Sequence, residues 1–121
     1  MVAFGGLTLV ADTGINGFAL QDATPAIVSW TAPDDGEMHT VLFAELKHVT
    51  TLEAGGAVEY TFTSPDGSSV SAALDSGTRS PGLFASASNM RFIKPGSTVT
   101  ISQSSALTSG ATLVFAQIWA S

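Results

Sequence analysis

The stretch that decides the fold is residues 57–74, AVEYTFTSPDGSSVSAAL. Val58, Tyr60 and Phe62 alternate with polar residues, which is the period-two pattern of a strand with one buried and one solvated face. Pro65-Asp66-Gly67 follows and favours a tight turn, because Pro fixes φ, Asp hydrogen-bonds back to the chain and Gly accepts a positive φ. The stretch therefore predicts two antiparallel strands joined by a short turn.

The same combination of short apolar segments and turn signals recurs along the whole chain. No segment sustains the 3.6-residue apolar period of a helix, and Gly or Pro interrupts nearly every window of helical length. Further turns are predicted at Pro33-Asp34-Asp35-Gly36, Pro81-Gly82 and Pro95-Gly96. Between the turns, about eight strands are predicted, at residues 7–10, 26–31, 39–50, 57–63, 69–74, 90–93, 97–103 and 112–120.

Eight strands are enough to fill two packed sheets. The sequence therefore predicts an all-β fold, an antiparallel β-sandwich of jelly-roll type. Strand order does not follow from these patterns, so an immunoglobulin-like sandwich and a partly closed barrel remain alternatives. No linker or change in composition divides the chain, and we expect a single domain over residues 1–121. Residues 1–23 are less regular and are interpreted as an edge strand, an N-terminal arm or a lead-in.

Two predicted strands are apolar on both faces. In residues 39–49, Val41, Phe43 and Val49 lie opposite Leu42, Ala44 and Leu46, and residues 112–120 alternate in the same way apart from Gln117. A strand of this kind has both faces covered. The covering layer is interpreted either as the rest of the sandwich or as a neighbouring subunit.

Charge and cysteine content exclude several classes of function. Only 12% of the residues are charged, and four basic residues face ten acidic ones, giving a net charge of −6. Four basic side chains are too few to neutralise a phosphate backbone, so no nucleic-acid partner is expected. The absence of cysteine excludes disulfides, zinc–thiolate sites and thiol nucleophiles.

No membrane partner is expected either. The chain has no apolar run long enough to cross a bilayer. The N-terminus, with Met1 as a native-looking start, lacks the pattern of a secretory signal. We therefore expect a protein that is made and used without export by that route.

Chemistry-bearing residues are sparse. His39 and His48 are the two histidines, and a separation of nine residues in one strand places them on opposite faces, so they cannot share a metal ion. No nucleophile elbow is present. We therefore expect no enzyme and predict no catalytic, cofactor-binding or metal-binding residue. The acidic turn at Asp34, Asp35 and Glu37 is interpreted as a solvated turn, with a calcium site as the alternative.

Three large aromatic residues permit a second interpretation of the protein's function. Trp30, Tyr60 and Trp119 could form a flat platform for sugar rings, as in carbohydrate-binding modules of sandwich fold. They fit core positions as well, because Tyr60 alternates with buried residues and Trp119 lies in the most apolar strand. A carbohydrate- or ligand-binding module is therefore the alternative function.

Two segments carry a resemblance to a known group of proteins. The first is the strand–turn–strand of residues 30–41, WTAPDDGEMHTV, and the second is KPGSTVTI at residues 94–101, followed by Ser109-Gly110-Ala111-Thr112 and the apolar final strand. In style, residues 24–121 resemble small β-sandwich accessory proteins of tailed-phage particles, such as capsid decoration proteins and head fibres.

The resemblance implies a non-enzymatic structural protein of a virus particle that decorates and stabilises the capsid. It implies a homotrimer, with the major capsid protein or another virion protein as partner and the N-terminal arm as the contact with the shell. It also implies a virion location after synthesis in the host cytoplasm, and a chain without cysteine suits that reducing compartment. No cofactor and no individual site residue is carried over from the group.

Overall fold

The computed structural model describes residues 3–4, 6–74, 77–85 and 89–121. This part of the chain forms eleven strands and contains no helix, so no helix in it could span a membrane. The strands are β1 (Ala3–Phe4), β2 (Leu7–Asp12), β3 (Phe18–Ala19), β4 (Ala26–Thr31), β5 (His39–Gly55), β6 (Val58–Thr63), β7 (Ser69–Ala73), β8 (Gly82–Ala85), β9 (Asn89–Ile93), β10 (Thr98–Gln103) and β11 (Leu107–Ala120).

The strands form two sheets in which every pairing is antiparallel. Sheet 1 has the order β1–β2–β11–β5–β8, with β3 also paired to β11 and β9 also paired to β5, and sheet 2 has the order β4–β10–β6–β7. Along the sequence, the chain passes from sheet 1 to sheet 2 and back three times. This alternation of Greek-key connections is the topology of a jelly roll. The predicted all-β antiparallel sandwich is confirmed, and the strand order selects the jelly roll among the three alternatives.

The core lies between the two sheets. The inward side chains of β5 are the odd-numbered ones, such as Val41 and Phe43, and those of β11 are even-numbered, such as Val114 and Ile118. Sheet 2 contributes Val58, Tyr60, Val99 and Ile101, all fully buried. The rings of Phe43 and Tyr60 stack across the sheets with centroids 4.5 Å apart. The predicted alternation of β6 is therefore observed, with its apolar side turned towards sheet 1.

Two strands are longer than predicted. β5 continues to Gly55, and β11 begins at Leu107, well before the predicted start at residue 112. The pairing of β5 with β11 is irregular between Leu107 and Thr112. Gly110 lies in this irregular region at φ +90°, and a Cβ on it would collide with the backbone oxygen of Leu52. The missing side chain lets the two strands stay paired beyond the predicted limit.

Gly110→Ala is expected to lower the free energy of unfolding by at least about 2 kcal/mol, because the new methyl group adds a backbone clash to the strain of a positive φ. Gly67 is a matched control, since it has the same φ of +90° but no atom within 4 Å of the position that a Cβ would take. Gly67→Ala should therefore cost only the strain, about 1 kcal/mol. Equal losses in chemical denaturation would show that the close approach to Leu52 contributes nothing.

The three strands β1, β2 and β3 in the described part of the N-terminal segment belong to sheet 1. β2 pairs with the second half of β11, and β3 pairs with Leu113 and Val114 of the same strand. Residues 7–12 therefore lie inside sheet 1, between β1 and β11, and the interpretation of residues 1–23 as an N-terminal arm stays a prediction. Sequence patterns missed β1, β3 and β8, which have only two, two and four residues, too few for a period-two pattern to show.

Candidate functional site: the outer face of sheet 1

Sheet 1 carries apolar side chains on the side that faces away from sheet 2. One row crosses four strands, because Trp119 of β11 pairs with Leu9 and Leu42, and Leu42 pairs with Met90 of β9. Further rows come from the pairs of β5 with β8, β9 and β11. We call this surface the outer face and define it by nine apolar residues: Leu9, Leu42, Leu46, Leu83, Met90, Phe92, Leu113, Phe115 and Trp119.

The outer face is accessible to solvent in much of its area. Phe92 is 72% exposed, Leu83 67%, Met90 53% and Leu46 38%. Leu42 at its centre is 9% exposed, although it does not belong to the core between the sheets. Exposed apolar patches of this extent on a small protein usually mark a contact surface. The inner faces of β5 and β11 are thus covered by sheet 2, whereas the second apolar face predicted for these strands is only partly covered.

Polar atoms on the outer face are few and mostly satisfied. Trp119 donates its indole N–H to Oε1 of Gln117 at 3.0 Å, so the largest ring on the face needs no partner from outside. No Asp, Glu, Lys or Arg lies among the outward positions of β11, β5, β8 and β9 in the described residues. His48 is the one titratable side chain among those positions, where it pairs with Leu83 and Leu113. The chemistry of this surface therefore suits apolar packing.

The two histidines lie on opposite faces, as their spacing predicts. His39 points inward and is 6% exposed. Its Nδ1 lies 3.1 Å from the main-chain oxygen of Ser121, and its Nε2 lies 3.0 Å from Oδ1 of Asp35. Both neighbours are acceptors, so only the doubly protonated imidazolium can donate to both. The hydrogen bond to Ser121, together with that to Asp35, raises the pKa of His39 above its ordinary value of 6.5.

The stability of the protein is therefore expected to fall as the pH rises from about 6 to about 8. A raised pKa means that protonation of His39 stabilises the folded state fully below about 6.5, and that this contribution is lost as the pH rises through the folded-state value. Urea denaturation at both pH values would measure the difference. In His39→Gln the difference should shrink, and an unchanged difference would assign the pH dependence to another group.

In the acidic turn, the carboxylate of Asp35 already accepts hydrogen bonds from neighbouring residues of the protein. Asp35 accepts from the backbone N–H of Glu37 at 3.1 Å and from His39, and these two contacts lower the pKa of its carboxyl. Within the described residues, no three His, Asp or Glu side chains are grouped closely enough to hold a metal ion. The calcium interpretation of Asp34, Asp35 and Glu37 thus receives no support from the geometry.

The aromatic platform suggested for a sugar-binding module is wrong. Tyr60 lies in the core with 1% exposure. Trp30 packs on the edge of the His39 ring, with centroids 6.2 Å apart at 79°, and Trp119 lies on the outer face of the other sheet. The three rings therefore belong to three different environments and cannot contact one ligand.

An open cleft of about 280 Å³ lies between two turns at one end of the sandwich, lined by Ser64, Pro65, Asp66, Lys94 and Pro95. Its volume is at the lower limit of about 300 Å³ for small-molecule sites. Asp66 is already bonded to Ser68 through both the backbone N–H and the hydroxyl. The cleft therefore gives the ligand-binding alternative little support.

A buried ion pair inside the sandwich was missed by sequence reasoning. Nζ of Lys47 lies 2.9 Å from Oε1 of Glu53 and donates to the carbonyl of Gly56 at 3.0 Å. Thr112 donates its hydroxyl to the second carboxylate oxygen of Glu53 at 2.6 Å. Lys47 is 1% exposed and Glu53 is fully buried. Every oxygen of the carboxylate is thus bonded, and the group is a structural element of the core.

The basic residues, all of which lie in the described part of the chain, form no surface patch. Lys47 is inside the core, and Arg91 lies over the Tyr60 ring at 5.5 Å and donates to the Tyr60 hydroxyl. Arg79 donates to the carbonyl of Gly77. Lys94 at the turn cleft is thus the most exposed of the four.

Comparison with known proteins gives a likeness of fold. No protein-family model and no curated protein matches the sequence. Among solved structures, a chain of infectious bursal disease virus, Gx strain, is similar with a TM-score of 0.53 and 11% identity, over 94% of this chain and 32% of that one. The VP2 subviral particle of the same virus gives a TM-score of 0.36 at 12% identity, over 96% of this chain and 41% of that one. This chain therefore spans 32% and 41% of the length of these two chains, and what it shares with the first of them is the β-sandwich fold.

Proposed function

We propose that this protein is a non-enzymatic structural component of a virus particle and that it assembles through the outer face of sheet 1. The observation that carries the proposal is the apolar outer face of sheet 1, on which Leu46, Leu83, Met90 and Phe92 are exposed in the single chain. The likeness to a chain of infectious bursal disease virus agrees with it, since jelly rolls are common in viral capsids. In finer terms, we propose decoration of a tailed-phage capsid, as a homotrimer bound to the major capsid protein.

The physical argument for assembly is the free energy available on the outer face. Complete burial of one large apolar side chain contributes about 1.5–3 kcal/mol. Phe92, Leu83 and Met90 are each more than half exposed, so their burial alone supplies several kcal/mol towards association. Repulsion between copies with a net charge of −6 is weak at this surface, because Asp12, beside Gln117, is the one acidic side chain among the described outward positions of β2, β5, β8, β9 and β11.

Native mass measured by light scattering during size-exclusion chromatography tests the assembly step. We expect Phe92→Lys combined with Leu83→Lys to weaken association at least about 30-fold, because two charges would have to be desolvated in the interface. Ser29→Lys is the control, since Ser29 is exposed on the far side of sheet 2. A wild-type protein that stays monomeric at high concentration, or a double variant that associates normally, would contradict assembly through the outer face.

The location in a particle needs a separate test. Particles of the virus that encodes this chain, purified on a density gradient, should contain it in a fixed ratio to the major capsid protein, as measured by quantitative mass spectrometry. The outer-face double variant should be depleted from the particles while the Ser29→Lys control is retained. Recovery of the wild-type chain only outside the particles would refute a virion role.

A further inference from the structure

β7 is the last strand of sheet 2 and has a free edge. It pairs with β6 on one side, and no other strand of the described chain pairs with it. Ser69, Val70, Ser71 and Ala73 are exposed, Val70 to 56%. An edge strand presents unpaired backbone N–H and C=O groups, which form a template for pairing with another strand.

The hydrogen bonds at both ends of β7 show which groups are free. The N–H of Leu74 bonds to the carbonyl of Val58 at 2.9 Å, and the N–H of Ser64 bonds to the carbonyl of Ser68 at 2.8 Å. The even-numbered residues of this strand therefore point their backbone groups towards β6. Since successive residues of an antiparallel strand point to opposite sides, the N–H and C=O groups of Ser69, Ser71 and Ala73 point outward.

β7 lacks the features that usually protect such an edge. Its five residues, SVSAA, contain no charge and no proline, and its register with β6 has no bulge. Natural proteins commonly block edge strands with lysine, proline, bulges or inward-pointing charges. The small side chains of Ser69, Ser71 and Ala73 also leave room for a neighbouring backbone to approach.

We propose that β7 is a self-association edge, at which the β7 strands of two copies pair antiparallel about a two-fold axis at Ser71. In this register Ser71 faces its own copy and Ser69 faces Ala73. All six outward backbone groups of each chain are then paired, giving six hydrogen bonds, whereas a shifted register leaves some of them unpaired. The two four-stranded sheets become one sheet of eight strands.

Side chains on the inner side of β7 also favour a second copy of this chain as the partner. In the two-fold register, Val70 of each copy lies opposite Ala72 of the other, so the exposed valine gains an apolar neighbour of complementary size. A second copy also brings no charge to the edge, because β7 itself is uncharged. A two-fold contact between identical patches is the commonest form of homodimer. The edge belongs to sheet 2, so the proposal is independent of the outer face of sheet 1.

Single-cysteine variants test both the contact and its register, because the chain has no other cysteine. Facing residues of a hydrogen-bonded antiparallel pair have Cα atoms about 5.5 Å apart, within the range that a disulfide spans. Ser71→Cys should therefore form a disulfide-linked dimer under mild oxidation. Ser69→Cys and Ala73→Cys are matched controls, since each would lie about 14 Å from its own copy along the strand and should remain unlinked.

A proline variant gives an independent measurement. The N–H of Ser71 points away from β6, so within one chain Ser71→Pro removes no backbone hydrogen bond of the sheet and only the contact between the hydroxyls of Ser71 and Thr61. The variant should therefore keep its far-ultraviolet circular dichroism. It should weaken dimerisation at least about 10-fold, because two central hydrogen bonds are lost, whereas Ser71→Thr should dimerise normally. If the proline variant does not fold, the three cysteine variants alone test the proposed β7 contact.

Preferential linking of Ser71→Cys, retained in the Phe92→Lys and Leu83→Lys background, would support the two-fold edge whatever becomes of the outer face. Equal linking of the three cysteine variants would indicate random collision and overturn the proposal. Failure of Ser71→Cys to link, or a folded Ser71→Pro variant that dimerises normally, would overturn it too.

Discussion

Lys47→Met is expected to lower the free energy of unfolding by about 3–5 kcal/mol, the usual cost of leaving one member of a buried ion pair without its partner. Methionine has a similar length, so little cavity forms, but the Glu53 carboxylate loses its contact with Nζ and the Gly56 carbonyl loses a donor. Guanidinium denaturation would show this as a lower midpoint at an unchanged slope.

The matched control removes both charges. In the double variant Lys47→Met with Glu53→Gln, the neutral amide can still accept from the Thr112 hydroxyl, which now bonds to Glu53 at 2.6 Å. We therefore expect the double variant to be more stable than Lys47→Met alone, because no carboxylate is left buried without its cation. A double variant that is less stable than the single one would mean that the charge of Glu53 is not the source of the loss.

Phe43→Ala is expected to cost about 3–5 kcal/mol, as large-to-small changes of a buried aromatic residue do. Phe43 is fully buried and stacks on Tyr60 with the rings 10° from parallel. The stacking adds about 0.5–1.5 kcal/mol to the burial of the ring area. Thermal and chemical denaturation of the purified variant would give the loss directly.

Phe92 supplies the control for Phe43 in the same sheet. It lies on the outer face and is 72% exposed, so Phe92→Ala should change the free energy of unfolding of a single chain by less than about 1 kcal/mol. The same variant should weaken association, because its ring belongs to the proposed interface. If Phe92→Ala were as destabilising as Phe43→Ala, the outer face would be part of the folded core and not a contact surface.

The fold class could be predicted because its signals are local. Alternation at Val58, Tyr60 and Phe62 and the Pro65-Asp66-Gly67 turn are both contained within ten residues, and β4 and β6 were predicted to within one residue. Strand order could not be predicted in the same way. β11 lies between β2 and β5, and this arrangement depends on pairings between residues far apart in the sequence, which carry no local pattern.

The candidate site was partly predictable for the same reason. The second apolar face of β5 and β11 follows from the alternation of residues such as Leu42, Leu46 and Trp119. The contributions of Leu83 and Phe92 required the register of the short strands β8 and β9. The buried pair was missed because Lys47 and Glu53 read as solvated residues in an apolar strand, and only the contact between them explains how both are buried.

The central position of β11 has a consequence for how the protein is made. β11 is translated after every strand that it joins, yet it is the strand that holds β2, β3 and β5 in one sheet. A ribosome-bound chain that has not yet released residues 107–120 therefore exposes the apolar faces of β5 and two open strand edges. Folding must wait for long-range pairing of this strand, which is slow. Until then the nascent polypeptide is vulnerable to aggregation and dependent on chaperones, even though the folded unit is small.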